Sequence, residues 1–170
     1  MNEELRRTGD SIHEVISAYS GMVYRLAYAR TGNRVDAEDV FQDVFLKYFA
    51  ARPSFASEEH RKAWLIRATV HTSVDLFRSA WRRLVLPVAE VPAAAGDVPG
   101  ECAPLADALC RLSGRDRVLI HLFYEEEMRT EEIADMLGMK PATVRSRLSR
   151  SRETLRGLLT KKGGDSDGQA

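Results

Sequence analysis

The sequence has few of the residues on which catalytic and metal-binding sites depend. Its two cysteines, Cys102 and Cys110, lack the paired C-x-x-C spacing of a zinc or redox site, and its four histidines are scattered along the chain. It contains no Walker phosphate loop, no G-x-G-x-x-G fingerprint and no G-x-S-x-G motif. We therefore predict a protein that is not an enzyme and that carries no metal or cofactor.

Long apolar runs are also absent. No stretch approaches the roughly 18 to 20 apolar residues that would span a bilayer, and the charged start, MNEELRRTGD, leads into no signal-peptide core. We therefore expect a soluble, cytoplasmic protein. The 170 residues, of which 44% are hydrophobic, suit one ordinary domain or two small ones with packed cores.

The formal net charge of zero conceals an uneven distribution of charge. Residues 61–83 contain six basic side chains and one acidic side chain, and residues 141–162 contain seven and one. The remainder of the chain is correspondingly acidic. Two basic blocks indicate contact with a polyanion at two places, and the acidic remainder indicates a different partner or solvent.

One stretch, LPVAEVPAAAGDVPGECAP, is rich in proline, alanine and glycine and has no periodicity. It predicts a flexible linker over residues 84–104, between a domain at 1–83 and a second domain at 105–162. Residues 163–170 have the composition of a disordered tail. Because neither flank shows the alternation of a strand, the sequence predicts an all-α fold with two small helical domains.

In the first domain, apolar spacing predicts three or four helices. The first has the stripe Ile12, Val15, Ile16, Tyr19, Val23 and Leu26, and a turn at Gly32 and Asn33 ends it. The second runs from about 36 to 50, with a core stripe of Ala37, Val40, Phe41, Val44 and Tyr48. The third runs from near Ser57 to about Arg83, with a core face of Ala63, Ile66, Val70, Val74, Phe77 and Trp81.

The second domain has the start and stop signals of several helices. After a short helix at about 105–112, Ser113 is the predicted cap of a helix, with Asp116 three residues later. Thr130 is the predicted cap of the next helix, which Gly138 ends, and Pro141 begins the last one. A short helix, a glycine-containing turn and a second helix are typical of a helix-turn-helix.

The last helix has the faces that a reader of the DNA major groove needs. Its apolar face holds Val144, Leu148, Leu155, Leu158 and Leu159. Opposite lie Ala142, Ser146, Ser149 and Arg150, with Arg145 beside them, and at the flanks lie Arg147, Arg152 and Arg156. Small residues allow close approach, and arginines fork onto guanine or reach phosphates. Thr130 and Thr143, near helix N-termini, are further candidate phosphate contacts. The alternative is a solvated charged face.

Two surfaces of the first domain carry weaker signals. The second helix, opposite its core stripe, presents Asp39, Gln42 and Asp43 with Leu46 among them, which indicates either a protein partner or a plain surface. The third helix aligns Arg61, Trp64, Ala68, His71, Asp75, Arg78 and Arg82. A tryptophan among cations suits single-stranded nucleic acid. The alternative is that Trp64 packs against a neighbouring helix while the cations are only solvated.

Three stretches resemble, in order and spacing, bacterial sigma factors of the sigma-70 family, of the extracytoplasmic-function type. They are DAEDVFQDVFLKYFA, KAWLIRATVHTSVDLFRS and LSGRDRVLIHLFYEEEMRTEEIADMLGMKPATVRSRLSRSRETLRGLL. The resemblance covers nearly the whole chain except the linker and both tails. It implies a protein that binds core RNA polymerase and directs transcription initiation at promoters.

The resemblance also implies a role for each surface. Asp39, Gln42, Asp43 and Leu46 would dock on the β′ clamp helices of the polymerase. The stripe with Arg61, Trp64, His71, Arg78 and Arg82, with the loop at 53–60, would melt and read the −10 element. The second domain would dock on the β flap and read the −35 element with Arg145, Ser146, Ser149 and Arg150. The linker would approach the active-site cleft, and an anti-sigma factor is a typical partner. One departure is His71, where the family often has an asparagine that helps read a −10 base.

Two other classes of function fit parts of the pattern. A dimeric helix-turn-helix regulator would use the same last helix and would bind a palindrome unaided. An interaction module that binds only protein would use the acidic face, but it leaves the arginine-rich helix unexplained. A dimeric regulator usually needs a sensing or dimerisation domain, for which the N-terminal half gives no ligand-pocket signature, and the acidic face suits polymerase better. The sigma factor is therefore the function that we predict.

Overall fold

The computed structural model describes residues 12–84 and 103–163. Within these ranges the chain forms seven α-helices and no strand, which confirms the predicted all-α fold. The chain divides into two compact units, Met1–Val88 and Ala89–Ala170. None of the described helices is both long and apolar enough to cross a membrane. The helices are α1 (Ile12–Thr31), α2 (Arg34–Ala51), α3 (Glu58–Leu84), α4 (Ala103–Cys110), α5 (Gly114–Tyr124), α6 (Thr130–Leu137) and α7 (Pro141–Gly163).

The predicted linker overlaps the described residues only at its two ends. Leu84 is the last residue of α3, and α4 begins at Ala103, two residues before the predicted start. Pro104 is compatible with this earlier start because the first turn of a helix leaves its backbone N–H groups without intrahelical partners. The rest of the linker and the tail after Gly163 lie outside the described residues, so the proposed domain boundaries remain predictions.

In the first unit α1, α2 and α3 all pack against one another. The side chains that fill this core are Val15, Val23, Leu26, Ala37, Val40, Val44, Leu65 and Ile66, each at most 2% exposed. Full burial of one such aliphatic side chain stabilises the fold by about 1.5–3 kcal/mol. In α2 the stripe differs from the prediction at one place, because Phe45 is buried while Phe41 is half-buried.

The turn between α1 and α2 is the one that the sequence predicts. Gly32 has a φ of 75°, a left-handed conformation that glycine adopts at little cost. Asn33 caps α2, because its side-chain oxygen accepts a hydrogen bond from the backbone N–H of Asp36 at 2.9 Å. This cap explains why α2 begins at Arg34, two residues before the predicted start.

The predicted core face of α3 is correct at Ile66 but is otherwise rotated about the helix axis from the face that is buried. The buried residues are Leu65, Ile66, Thr69, Thr72 and Ser73, whereas Ala63, Val70 and Val74 are half-buried and Phe77 is 37% exposed. The side chain of Trp81 lies outside the described residues. The small polar side chains are buried because their hydroxyls have partners: Thr69 donates to Leu65 O and Ser73 donates to Thr69 O, both at 2.7 Å, and Thr72 accepts from Lys47 Nζ at 3.0 Å.

Aromatic rings join the helices of the first unit. The ring of Tyr24 on α1 meets that of Phe41 on α2, with centroids 6.5 Å apart. Trp64 on α3 lies edge-on to Tyr48 of α2, with centroids 5.6 Å apart, and to Phe55, with centroids 6.3 Å apart. Such edge-to-face pairs add about 0.5–1.5 kcal/mol each beyond their buried area. They fix the segment that precedes α3 against the end of α2.

In the second unit α4, α5 and α6 each pack against α7. The fully buried side chains at the centre are Leu119, Leu122, Ile133, Val144 and Leu148. Ser113 caps α5 as predicted, since its hydroxyl accepts from the backbone N–H of Asp116 at 3.2 Å. The long helix α7 is therefore held on one side by three shorter helices.

The helix-turn-helix consists of α6, the residues Gly138 to Lys140, and α7. Gly138 ends α6 with a φ of 64°, and Pro141 begins α7, as predicted. The predicted cap, Thr130, is wrong by one residue, because Arg129 occupies the cap position and Thr130 is the first helical residue. The shift arises because the backbone N–H of Arg129 donates to the Glu132 carboxylate at 2.8 Å, the spacing of a capping box.

Candidate nucleic-acid and polymerase interfaces

The surface of α7 opposite the core is exposed along its first three turns. Val144 and Leu148 are fully buried against the other helices of the unit, and Ser151 is buried one turn later. Leu155 and Leu158 are half-buried, and Leu159 is 36% exposed. The residues on the opposite side are all exposed: Ala142, Thr143, Arg145, Ser146, Ser149 and Arg150. We call these six residues the α7 surface. The predicted division of α7 into two faces agrees with this burial except at Leu159, which is exposed.

The arginine side chains of α7 differ in their contacts with the rest of the unit. Arg147 is half-buried, and its Nη1 lies 2.8 Å from the Asp116 carboxylate of α5, so it links two helices of the unit. Arg145 is exposed and pairs with Glu131 of α6 at 3.0 Å. Arg152 packs over the ring of Phe123 at 5.8 Å. Arg147 is therefore not the free flanking cation that the helix wheel predicted.

The two threonines predicted to contact phosphate lie in different surroundings. Thr143 is exposed on the α7 surface, but its backbone N–H already donates to Lys140 O at 2.9 Å, so only its hydroxyl is available to a ligand. Thr130 is half-buried, and its hydroxyl donates to the Glu131 carboxylate. A phosphate contact from Thr130 would have to replace that hydrogen bond.

On α2 one exposed stripe combines acidic and apolar side chains. Asp39, Gln42 and Asp43 are exposed, and Leu46 is 66% exposed. Val35, four residues before Asp39, is 69% exposed and extends the stripe by one turn. The sequence prediction missed Val35, although its spacing from Asp39 could have shown it. We call these five residues the α2 surface.

On α3 the exposed residues are spaced three or four apart, so they form one stripe. His71, Asp75 and Arg78 are exposed as predicted, and so is Arg67, one turn before His71, which the candidate set had omitted. The side chain of Arg82 lies outside the described residues. The stripe offers two arginines and a histidine against one aspartate, which suits contact with an anionic strand.

Arg61 does not belong to that exposed stripe, and this part of the prediction is wrong. Its side chain is buried, 3.2 Å from the Glu58 carboxylate and over the ring of Phe55. Tyr19 of α1 donates to the same carboxylate at 2.6 Å, and burial together with the hydrogen bond to Glu58 raises the pKa of Tyr19 to about 12. The cluster ties the start of α3 to α1.

Trp64 is half-buried, with its ring edge-on to Tyr48 and Phe55. The packing contact with a neighbouring helix, which the sequence left as an alternative, is therefore present. A half-exposed ring can still stack on a base over the part that its neighbours leave open. Ser57 caps α3 near the predicted start, since its hydroxyl accepts from the backbone N–H of His60 at 3.3 Å.

Comparisons with known proteins agree with this arrangement. The family model for sigma-70 region 2 matches residues 15–83, and the model for sigma-70 region 4 matches residues 102–155. The ECF RNA polymerase sigma factor SigE of Mycolicibacterium smegmatis is 33% identical over 91% of this chain, and the match spans 65% of SigE. The ECF sigma factor SigL of Mycobacterium tuberculosis (strain H37Rv) is 30% identical over 85% of this chain and 86% of its own length.

A solved structure shows the same fold. The sigma factor RpoE of Bartonella quintana, in complex with the anti-sigma factor NepR, matches with a TM-score of 0.69 and 26% identity, over 87% of this chain and 96% of the matched chain. Region 2 corresponds to the unit with the α2 and α3 surfaces, and region 4 to the unit with the helix-turn-helix. The chain is therefore a member of the extracytoplasmic-function sigma factors of the sigma-70 family, the proteins that direct promoter-specific transcription initiation by RNA polymerase.

Proposed function

We propose that this chain binds core RNA polymerase in the cytoplasm and selects promoters by reading two separated elements, the −35 element with α7 and the −10 element with α3. The observation that carries the proposal is the α7 surface. Its six residues, which are small or basic, lie on the first three turns of α7 and are exposed on the side opposite the buried Val144 and Leu148. The helix-turn-helix that carries them has the expected left-handed glycine in its turn. Small side chains on such a surface allow a helix to approach base edges in the major groove closely.

At the −35 element we assign base contacts to Arg145, Ser146, Ser149 and Arg150. The arginines can fork onto guanine, the serines can donate or accept, and Ala142 allows the start of the helix to approach a base edge closely. We assign Thr143 and Thr130 to contacts with phosphates rather than with bases. Arg147, through its link to Asp116, would hold α7 at a fixed angle to α5.

At the −10 element we assign His71, Arg78 and Arg82, and we add Arg67. His71 and Arg78 are exposed two turns apart on one side of α3, with Arg67 one turn before His71. Trp64 would contribute a partly exposed ring beside the loop at 53–60, on which a displaced base can stack. Arg61 is left out because its burial and its pairing with Glu58 remove it from this surface.

For polymerase binding we assign the α2 surface to the β′ clamp helices. Two exposed aliphatic side chains, Val35 and Leu46, lie at either end of an acidic stripe, which suits a partner with basic residues around an apolar contact. We further propose that the second unit docks on the β flap. Because the matched RpoE structure is a complex with an anti-sigma factor, we propose that this chain also has an anti-sigma partner.

The test is run-off transcription with core bacterial polymerase, this chain and a randomised promoter library, followed by sequencing of the transcripts. We expect starts that depend on the protein and share two spaced elements. Arg145→Ala should erode selection at the upstream element only. Arg111→Ala, which removes an exposed arginine at the end of α4 in the same unit, is the matched control and should leave selection unchanged.

The dimeric regulator gives the opposite result in the same assay. Such a protein would neither bind core polymerase nor produce new transcripts, and it would protect a palindromic site on DNA without polymerase. A protein-only module would show no loss of nucleic-acid affinity with increasing salt, whereas contacts to phosphate give a steep loss.

A further inference from the structure

We propose that Glu131 is a positioning residue that sets how Arg145 reads the upstream promoter element. Glu131 lies at the start of α6 and Arg145 lies on the α7 surface, and the glutamate Oε1 is 3.0 Å from the arginine Nη1. The contact therefore crosses between the two helices of the helix-turn-helix. The inference rests on the proposed role of α7 and goes beyond it, because it makes base selectivity depend on a residue outside that helix.

The Glu131 carboxylate is itself held in place. It accepts a hydrogen bond from its own backbone N–H and another from the Thr130 hydroxyl, and these, with the nearby guanidinium of Arg145, lower the pKa of Glu131 below its ordinary value. Its position in the first turn of α6 also favours the charged form. Glu131 is thus an ionised acceptor in the first turn of α6, facing Arg145.

The contact contributes little to stability, because both side chains are more than half exposed. Its consequence is orientation. An unrestrained arginine on a DNA-binding surface can turn to any phosphate, whereas one whose Nη1 donates to a carboxylate of the neighbouring helix has a smaller range of positions and keeps its remaining donors free. A restrained guanidinium loses less entropy when it forks onto one base, and this favours base reading over phosphate contact.

The other arginine of the α7 surface has no such restraint. Among the described residues no carboxylate lies within ion-pair distance of Arg150, whose Nε donates only to Ser146 O, at 3.4 Å in its own helix. The structure thus distinguishes one oriented arginine from one adaptable arginine on the same surface. Glu132, the residue after Glu131, has the same charge but points to Arg129, so it provides a matched control.

The experiment compares base preferences position by position. Holoenzymes are assembled from core polymerase and the full chain with Arg145→Ala, Glu131→Ala, Glu131→Gln, Glu132→Gln or Glu131→Ala with Arg145→Ala. Each transcribes a library randomised over the upstream element. The position that Arg145 reads is identified as the one at which Arg145→Ala abolishes the base preference. At that position Glu131→Ala should reduce the preference for the favoured base about 3–10-fold, as expected for weakening one bidentate contact.

The other variants separate positioning from charge and from folding. Glu131→Gln keeps a carbonyl oxygen as acceptor and should lose less preference than Glu131→Ala, while Glu132→Gln should match the unsubstituted chain. In the double variant Glu131→Ala should add nothing to Arg145→Ala. The inference is overturned if Glu131→Ala leaves the Arg145 position unchanged, or if it weakens all positions equally. If Arg145→Ala itself flattens no position, the proposed −35 role of Arg145 fails together with the inference.

Discussion

At the scale of single residues, Glu127 carries identifiable backbone strain. It lies between α5 and α6 with a φ of 51°, a conformation that glycine adopts more easily than a residue with a Cβ. We predict that Glu127→Gly raises the free energy of unfolding of the second unit by about 0.5–1 kcal/mol. Urea denaturation followed by circular dichroism would measure this change.

The matched control for this prediction is Glu125→Gly. Glu125 is also an exposed glutamate, two residues earlier, but it has an ordinary helical conformation with a φ of −89°. The same substitution there should lower the free energy of unfolding by a similar amount, because glycine adds only chain entropy. Equal effects of the two substitutions would show that φ at residue 127 is not the cause.

The exposure of some single residues, such as Arg61, could not be predicted from their spacing along a helix. Arg61 has the spacing of an exposed cation, but it is buried beside Glu58 of its own helix, whose carboxylate also accepts a hydrogen bond from Tyr19 of α1. Such a contact depends on how two helices meet, and a helix wheel does not contain that information. Val35 could have been found, since it lies one turn from Asp39, but the predicted helix began after it.

At the scale of elements, the buried face was predicted more accurately for α7 than for α3. The two faces of the first half of α7 were predicted correctly because its packed side is marked by the apolar residues Val144 and Leu148, which are fully buried, and Pro141 fixes where the helix begins. In α3 the buried side includes Thr69, Thr72 and Ser73, whose hydroxyls are satisfied within the helix or by Lys47. Hydrophobicity alone therefore predicted a core face that is rotated from the buried one and shares only Ile66 with it.

This rotation of α3 gives a direct prediction. Ser73 is fully buried, so Ser73→Leu should overpack the core and lower the free energy of unfolding by about 1–3 kcal/mol. Val74→Leu, at the next position, adds volume where the side chain is half-buried and should cost less than about 1 kcal/mol. Urea denaturation of both variants measures the difference. A larger loss of stability from Val74→Leu than from Ser73→Leu would instead support the core face that the sequence predicted.

The link between α5 and α7 gives a second prediction at this scale. Arg147 and Asp116 pair at 2.8 Å in a half-buried setting. We expect a double-mutant cycle of Arg147→Met and Asp116→Asn to give a coupling energy of about 0.5–1.5 kcal/mol, larger than for an exposed pair. The exposed pair Arg34 and Glu38 on α2, treated in the same way, is the comparison. Similar coupling in both pairs would argue against a bracing role for Arg147.

At the scale of the whole molecule, the charges and apolar residues are sorted by the partner that each surface is proposed to meet. Leu46→Ala should weaken binding to core polymerase by about 5–30-fold, the cost of removing one apolar anchor from an interface. Ile12→Ala on α1 is the matched control, since Ile12 is 58% exposed, and it should leave binding unchanged. Neither substitution should alter folding much, because both side chains are exposed. If both variants lose polymerase binding equally, the proposal that the α2 surface binds the polymerase is contradicted.

The aromatic packing of the first unit has a spectroscopic consequence. Both tryptophans, Trp64 and Trp81, belong to that unit, and the second unit has a single tyrosine, Tyr124. Because the half-buried ring of Trp64 packs edge-on against Tyr48 and Phe55, its emission should change when the first unit unfolds, while circular dichroism follows the helices of both units. Tryptophan fluorescence thus provides a label for one half of the molecule, present without any chemical modification. If the two unfolding curves separate, their difference would measure how independently the two units are stabilised.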